Sequence, residues 1–291
     1  MAANIDTLAV RARYWVTDRI PTLIAGVLFL AFWQGVAMWI DNNRIVAYPG
    51  YTWRSLAAHA DTVSIRIVET FTSVAVAFII AVLFGVLLGL VIAELTIVRE
   101  MSMPMVIFAY SIPHPVLAPV FIIWFITVLD PIVLLEFTGP SAYLLSSVSA
   151  EQATQQFVIN GVTTFAAWVG FFPVFLGTIT GMNALEERFE HLGQVLGATR
   201  FQMVRYFRFW RALPNIASSV KSTVQLSIIG VIVAEFIASS QGIGYQIVLA
   251  WKTGELGYMF GVILFIMVTA YVFFQTVVWI LKKLTPPGTV A

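Results

Sequence analysis

Residues 196–216 read "LGATRFQMVRYFRFWRALPNI". Arg200, Arg205, Arg208 and Arg211 fall within this stretch, with Arg188 just upstream, in a chain that is 59% hydrophobic and only 11% charged. The segment is too polar to cross a bilayer and too apolar to be an idle loop. Its surroundings decide the fold. Soluble domains are about 25% charged, more than twice the fraction found here. Mean hydropathy is +0.89, and runs of about 20 apolar residues recur along the whole length, the pattern of an all-α polytopic membrane protein.

The formal net charge of +1 offers nothing to nucleic acid. Cysteine is absent, which removes disulfides and thiolate metal sites. Residues 1–19 carry Arg11, Arg13, Asp18 and Arg19 and lack a short apolar core ending at a small-residue cleavage site. They are expected to remain as a cytoplasmic N-terminal segment, with the first hydrophobic helix kept as an anchor.

Six spans are expected, at about 20–40, 70–94, 104–127, 159–181, 216–238 and 258–281, within a transmembrane domain over 20–281. Residues 282–291 form a tail. The segment 128–158 contains "LDPIVLLEFTGP" and ends in polar "SAEQATQQ", so it reads as an extended extracytoplasmic loop with a short helix. With the N terminus inside, inner segments hold Arg11, Arg13, Arg19, Arg99, Arg188, Arg200, Arg205, Arg208, Arg211, Lys221, Lys282 and Lys283. Outer segments hold only Arg44, Arg54, Arg66 and Lys252. Basic residues favour the cytoplasmic side, so both termini are expected there, and residues 183–215 become the longest cytoplasmic loop.

From Asn183 to Val195 that loop fits an amphipathic helix, with Leu185, Phe189, Leu192 and Leu196 at three- and four-residue spacing and Glu186, Glu187 and Glu190 on the other side. Gly197 suits the C-terminal cap, Thr199 suits the N-cap of a second helix, and Pro214 is expected to interrupt that helix and hand the chain to the next span. Helix, glycine and helix make an elbow with acids on one arm and arginines on the other. On physical grounds it is either a rigid docking element or an amphipathic pair lying on anionic headgroups.

The same residues resemble the cytoplasmic signature loop of binding-protein-dependent ABC importer permeases, in the branch carrying nitrate, sulfonate, taurine and similar small solutes. Gly197 matches the loop's glycine, and Leu196, Ala198, Arg200, Gln202, Leu213 and Pro214 match that branch. "SIPHPVLAPVFIIWF" (111–125), "GFFPVFLGTITGM" (170–182) and "GVIVAEFIASSQGIGYQI" (230–247) resemble the third, fourth and fifth spans of the family, in order. Three features depart from it, one being that the segment 128–158 is longer than the family usually has between its third and fourth spans. The family's Glu-Ala-Ala triplet falls on His191, Leu192 and Gly193, with Glu187 and Glu190 nearby but out of register, and its first proline falls on Trp210.

The resemblance implies a type I ABC importer permease fold in a bacterial or archaeal cytoplasmic membrane. It implies ABC ATPase subunits, a second permease subunit (in a homodimer or heterodimer) and an extracytoplasmic solute-binding protein as partners, beside the lipid bilayer. It also implies that Glu187, Glu190, His191, Leu196, Gly197, Ala198, Thr199, Arg200 and Pro214 form the ATPase-coupling site. The chain holds no G-x-x-x-x-G-K-[ST] phosphate loop, so no cofactor is expected in it, and ATP and Mg belong to the partner ATPase. The solute would be a small organic or inorganic anion such as a sulfonate, nitrate or carboxylate.

Polar residues inside spans are costly and so mark candidate pathways. Ser111, Pro113, His114, Pro115 and Pro119 crowd the third span, where broken backbone is tolerated only against protein or a wet cavity. His114 is read either as a hydrogen-bonded packing residue or as part of the route. Glu235, the acid well inside span five, either pairs with a backbone donor or neighbouring span, or lines the route. Ser222, Gln225 and Ser227 are weaker pathway candidates. Gly85 with Gly89, and Gly177 with Gly181, have the spacing of close helix contacts. His59, His114 and His191 lie in different segments without a second ligand at helical spacing, which gives no metal site. No catalytic cluster stands out, so an enzyme is not expected. The alternative is a secondary transporter or channel subunit without an ATPase, which an internal inverted repeat would favour; none is seen.

Overall fold

The computed structural model describes residues 3–43, 45–124, 161–184, 187–238 and 241–285. The expected loop at 128–158 lies outside these. Every regular element among the described residues is helical: α1 (Ala3–Ile40), α2 (Pro49–Ala58), α3 (Ala60–Glu94), α4 (Thr96–Ser111), α5 (His114–Trp124), α6 (Gly161–Met182), α7 (Glu187–Val195), α8 (Arg200–Met203), a π-helical turn (Val204–Arg208), α9 (Phe209–Ala238), α10 (Gly242–Thr253) and α11 (Leu256–Leu284). Four are long and apolar enough to cross a membrane: α3, α6, the continuous run Arg200–Ile237 and α11. α4 and α5 are long and apolar enough only as a pair, which is bent by 97° at its break. Within α1, Ile24–Ile40 forms a shorter apolar stretch where the first of the six expected spans was placed.

The bend corrects the expected boundaries of the third span. Its helix begins at Thr96 rather than at 104 and breaks before Pro113. Ile112 is extended, with φ −69° and ψ 131°, because the ring of a following proline clashes with a helical residue before it. Pro104 and Pro119 sit inside their helices without ending them.

A second correction concerns Pro214. It does not interrupt the helix, which runs unbroken from Arg200 through α9. The irregularity lies about two turns earlier, at Val204–Arg208, where the Phe209 N–H bonds to the Val204 carbonyl five residues back. Proline removes one N–H from the ladder. Here Pro214 and Trp210 are both exposed, so the helix continues past the missing bond. The fifth span is therefore one rod with the second arm of the elbow.

The chain divides into two compact units. The first takes residues up to Val63 and 247–264. In it the Trp33 indole N–H donates to the Ala47 carbonyl at 3.0 Å, and the His59 and Tyr258 rings lie 4.5 Å apart, tilted by 36°.

The second unit, 64–246 with residues from Phe265 onward, carries the main core. α6 lies between α3 and α9, burying Phe165, Val174, Phe175, Ile179 and Met182. Small residues set these contacts. A Cβ at Gly85 would meet Val174 and one at Gly89 would meet Thr178, so α3 and α6 run parallel. Gly177 abuts Ser219, Gly181 abuts Ala212 and Gly230 abuts Ala166, so α6 and α9 run antiparallel. Without water to drive association, helices in a bilayer gain from such close backbone approach. The glycine pairs singled out in the sequence are these contact points.

Candidate functional site

The C-terminal end of α3, the start of α4, the end of α6 and the elbow gather at one end of the second unit, around a polar cavity of about 430 Å3. Glu94, Arg99, Asn183, Glu190, Arg200 and Arg208 line it. Arg208 is its centre. One guanidinium nitrogen donates to the Glu94 carboxylate at 2.8 Å and the other donates to Glu190 at 2.6 Å. A single side chain on the base of span five thus ties the end of span two to the first arm of the elbow. The planar fork of arginine suits two acceptors at once, which a lysine ammonium cannot bridge in the same way. Arg99 adds a second tie, donating to the Asn183 side-chain oxygen at 2.6 Å.

The turn between the arms is built as its residue types dictate. Gly197 has φ +70°, the left-handed region that glycine enters without strain. The Ala198 N–H reaches back to the Gly193 carbonyl at 2.9 Å, the long bond of a Schellman cap. Thr199 then opens the second arm with a capping box. Its hydroxyl accepts from the Gln202 N–H at 3.3 Å, while its own N–H donates to the Gln202 side chain at 2.7 Å. Gly193 packs against the Met203 thioether, closing one arm on the other.

The apolar and acid sides of α7 part as follows. Leu192, Val195 and Leu196 are exposed, Val195 by 83% and Leu196 by 69%, while Glu190 turns in to Arg208. A charge partner inside outweighs the apolar periodicity. Phe201 on the second arm is exposed as well, and so are His191 and Arg200. Ala198 lines the cavity. Glu187 opens α7, and Leu185 and Glu186 lie outside the described residues. Pro214 sits two turns into the span helix, away from the turn.

Elsewhere Ser111 is exposed and donates to the Ile107 carbonyl at 2.7 Å, next to the exposed Pro113 at the bend. The His114 ring packs edge-on to Tyr110 at 5.6 Å, and its Nε2 is buried without a hydrogen-bond partner among the described residues. Glu235 is 4% exposed; Thr70 donates to one of its carboxylate oxygens at 2.7 Å and the Gly244 N–H to the other at 2.8 Å. On α9, Ser218, Ser222 and Gln225 form an exposed stripe at helical spacing, whereas Ser227 is buried against Gly170.

Sequence reasoning missed Arg208 with Glu94, Arg99 with Asn183, and Thr70. The partners stand 114, 84 and 165 residues apart, so no local spacing marks them.

Comparison with known proteins follows the same residues. The family described as "Binding-protein-dependent transport system inner membrane component" matches residues 81–287. A probable ABC transporter permease protein of Haemophilus influenzae is 22% identical over 264 residues, covering 90% of this chain and 95% of that protein. A formylaminopyrimidine transport permease protein of Halalkalibacterium halodurans is 22% identical over 226 residues, covering 77% and 78%. A taurine transport system permease protein of Escherichia coli is 24% identical over 249 residues, covering 84% and 74%.

Proposed function

The chain belongs to the binding-protein-dependent transport system inner membrane components, and from that premise we propose that its elbow, 187–208, is the seat of the ATPase that drives import. It is a multi-pass membrane permease subunit of an ABC importer, and its relatives are transport permeases rather than enzymes. They support this reading and not a carrier that works without an ATPase.

The observation that carries the proposal is the Arg208 clamp beside an exposed apolar knuckle. Leu192, Val195, Leu196 and Phe201 offer a surface for a cleft, while Glu190, Arg208 and Glu94 bind the same arm to spans two and five. A push on the knuckle is then transmitted to the spans as rigid-body motion, since packed elements switch between discrete arrangements. ATP and Mg act in the partner. Both termini, the elbow and the Lys282–Lys283 end of α11 face the cytoplasm of a bacterial or archaeal cell, in keeping with the bias of basic residues. The partners are two ATPase subunits, a second permease subunit and an extracytoplasmic binding protein.

The solute is small and anionic, in line with a nitrate import permease protein among the relatives. Its route follows the exposed Ser218–Ser222–Gln225 stripe on α9, and Ser111 and Pro113 at the bend are exposed as well. Polar side chains at membrane depth call for protein or water opposite them rather than lipid. Co-purification in mild detergent tests the reading: an ATPase subunit is expected with the wild-type chain, and its consistent absence refutes the docking role.

A further inference from the structure

Glu235 is an acid inside a membrane span, satisfied among the described residues by a hydroxyl and a backbone amide rather than by a cation. It lies in the last turn of α9, buried with Thr70 of α3. One carboxylate oxygen accepts from the Thr70 hydroxyl at 2.7 Å and the other accepts from the Gly244 N–H at 2.8 Å. The Thr70 oxygen in turn accepts from the Ile243 N–H at 2.8 Å. Ile243 and Gly244 are in the first turn of α10, where helical N–H groups have no partner within their own helix. Span five and span two therefore cap the N terminus of α10 from outside, and the carboxylate sits where the helix dipole favours negative charge.

The backbone is shaped for this contact. Gly242 has φ +89°, and a Cβ there would run into the Glu235 carboxylate. A Cβ on Gly244 would lie 2.8 Å from the Glu235 Cβ. The chain returns over the acid so closely that only glycine fits at both positions. Apolar packing would hold a helix at least as firmly as a buried charge. A hydrogen-bonded cap differs in that withdrawing one partner leaves a buried donor or acceptor unpaired.

We propose that Glu235, with Thr70, is a positioning residue for transport: it latches α10 to spans two and five in one state of the cycle and lets it go in the other. α10 is then the extracytoplasmic gate element, and the latch opposes the state reached when the ATPase closes. This rests on the permease orientation proposed above.

The test uses the purified permease–ATPase complex in lipid nanodiscs, without binding protein. Thr70→Val keeps the shape of the side chain and removes the hydroxyl; Glu235→Leu removes both acceptors. In each variant, hydrogen exchange of the Ile243 and Gly244 amides is expected to accelerate on the order of tenfold, as for loss of a buried hydrogen bond that gates local opening. Exchange in α6 should stay unchanged, and basal ATP hydrolysis should rise severalfold. Glu235→Gln, which retains one acceptor, should fall between. Unchanged exchange in α10 overturns the latch. So does faster exchange with unchanged hydrolysis, since that describes a static tie. If no ATPase accompanies the wild-type chain, the docking reading fails, while the exchange measurement on the permease still decides whether the latch exists.

Discussion

Glu190 and Arg208 stand 18 residues apart in sequence and 2.6 Å apart in space. The turn at Gly197 folds one arm of the elbow onto the other, and this ion pair closes the fold. Arg208 also holds Glu94 at the end of span two, so the elbow is joined to the span bundle by charge as well as by the chain. Both carboxylates keep some solvent contact, which moderates the energy of each pair. The clamp is better suited to fixing geometry than to holding the fold together.

Removing the clamp should therefore impair coupling more than stability. Arg208→Leu is expected to lower stability by about 1 kcal/mol, a value discounted for the exposed carboxylates. It should also abolish transport-coupled ATP hydrolysis. Arg208→Lys keeps the charge but not the two-pronged reach, and should recover stability without recovering coupling. Thermal melts and coupled hydrolysis, measured on the same preparations, check this; a fully coupled Arg208→Leu shows the clamp to be idle.

Gly197 makes a sharper case because its φ of +70° is closed to proline, whose ring holds φ near −65°. Gly197→Pro is expected to insert normally and to lose coupling. Gly197→Ala should cost about 1 kcal/mol at the turn and retain partial coupling. Membrane insertion and uptake are the readouts, and wild-type uptake by the proline variant excludes a rigid elbow.

At Gly193, where the resembling family carries alanine, a Cβ would meet the Met203 thioether. The size tolerated at one position therefore depends on the side chain at the other. Gly193→Ala alone should destabilise by about 1 kcal/mol through overpacking, and a smaller residue at 203 should restore it. A double-mutant cycle of Gly193→Ala with Met203→Ala measures the coupling, and strictly additive effects rule the compensation out.

The chain has no cysteine, so single cysteines report on the pathway directly. Ser218→Cys, Ser222→Cys and Gln225→Cys in the assembled importer are expected to react with a small hydrophilic thiol reagent. Thr223→Cys and Ser227→Cys, at buried positions on the same helix, should stay protected. Equal labelling of the two sets, or none on the stripe, removes α9 from the route.

Much of this protein was legible in its sequence because the controlling terms are local. Hydropathy over about 20 residues marks a span wherever it lies in the chain. Gly197 and Thr199 act on neighbours within four residues, and the structure shows a positive φ and a capping box there. The glycine pairs announce close contact by spacing alone. Expectations fared worse where a residue answers to something distant. Pro214 was expected to break its helix, yet Pro214 and Trp210 face outward and the helix tolerates the missing bond. The sequence placed the acids of α7 opposite its apolar side but not their partner, and Arg208 holds Glu190.

The sequence by itself thus determined the class of the protein and the existence of the turn, since composition, periodicity and capping are short-range physics. Only the tertiary structure decided which charges meet. Arg208 chooses Glu94 across 114 residues, and Glu235 chooses Thr70 across 165 and the Gly244 amide at the start of the next helix. A buried charge must find whatever partner the packed helices bring within about 3 Å, and that neighbour is set by the order and tilt of the helices.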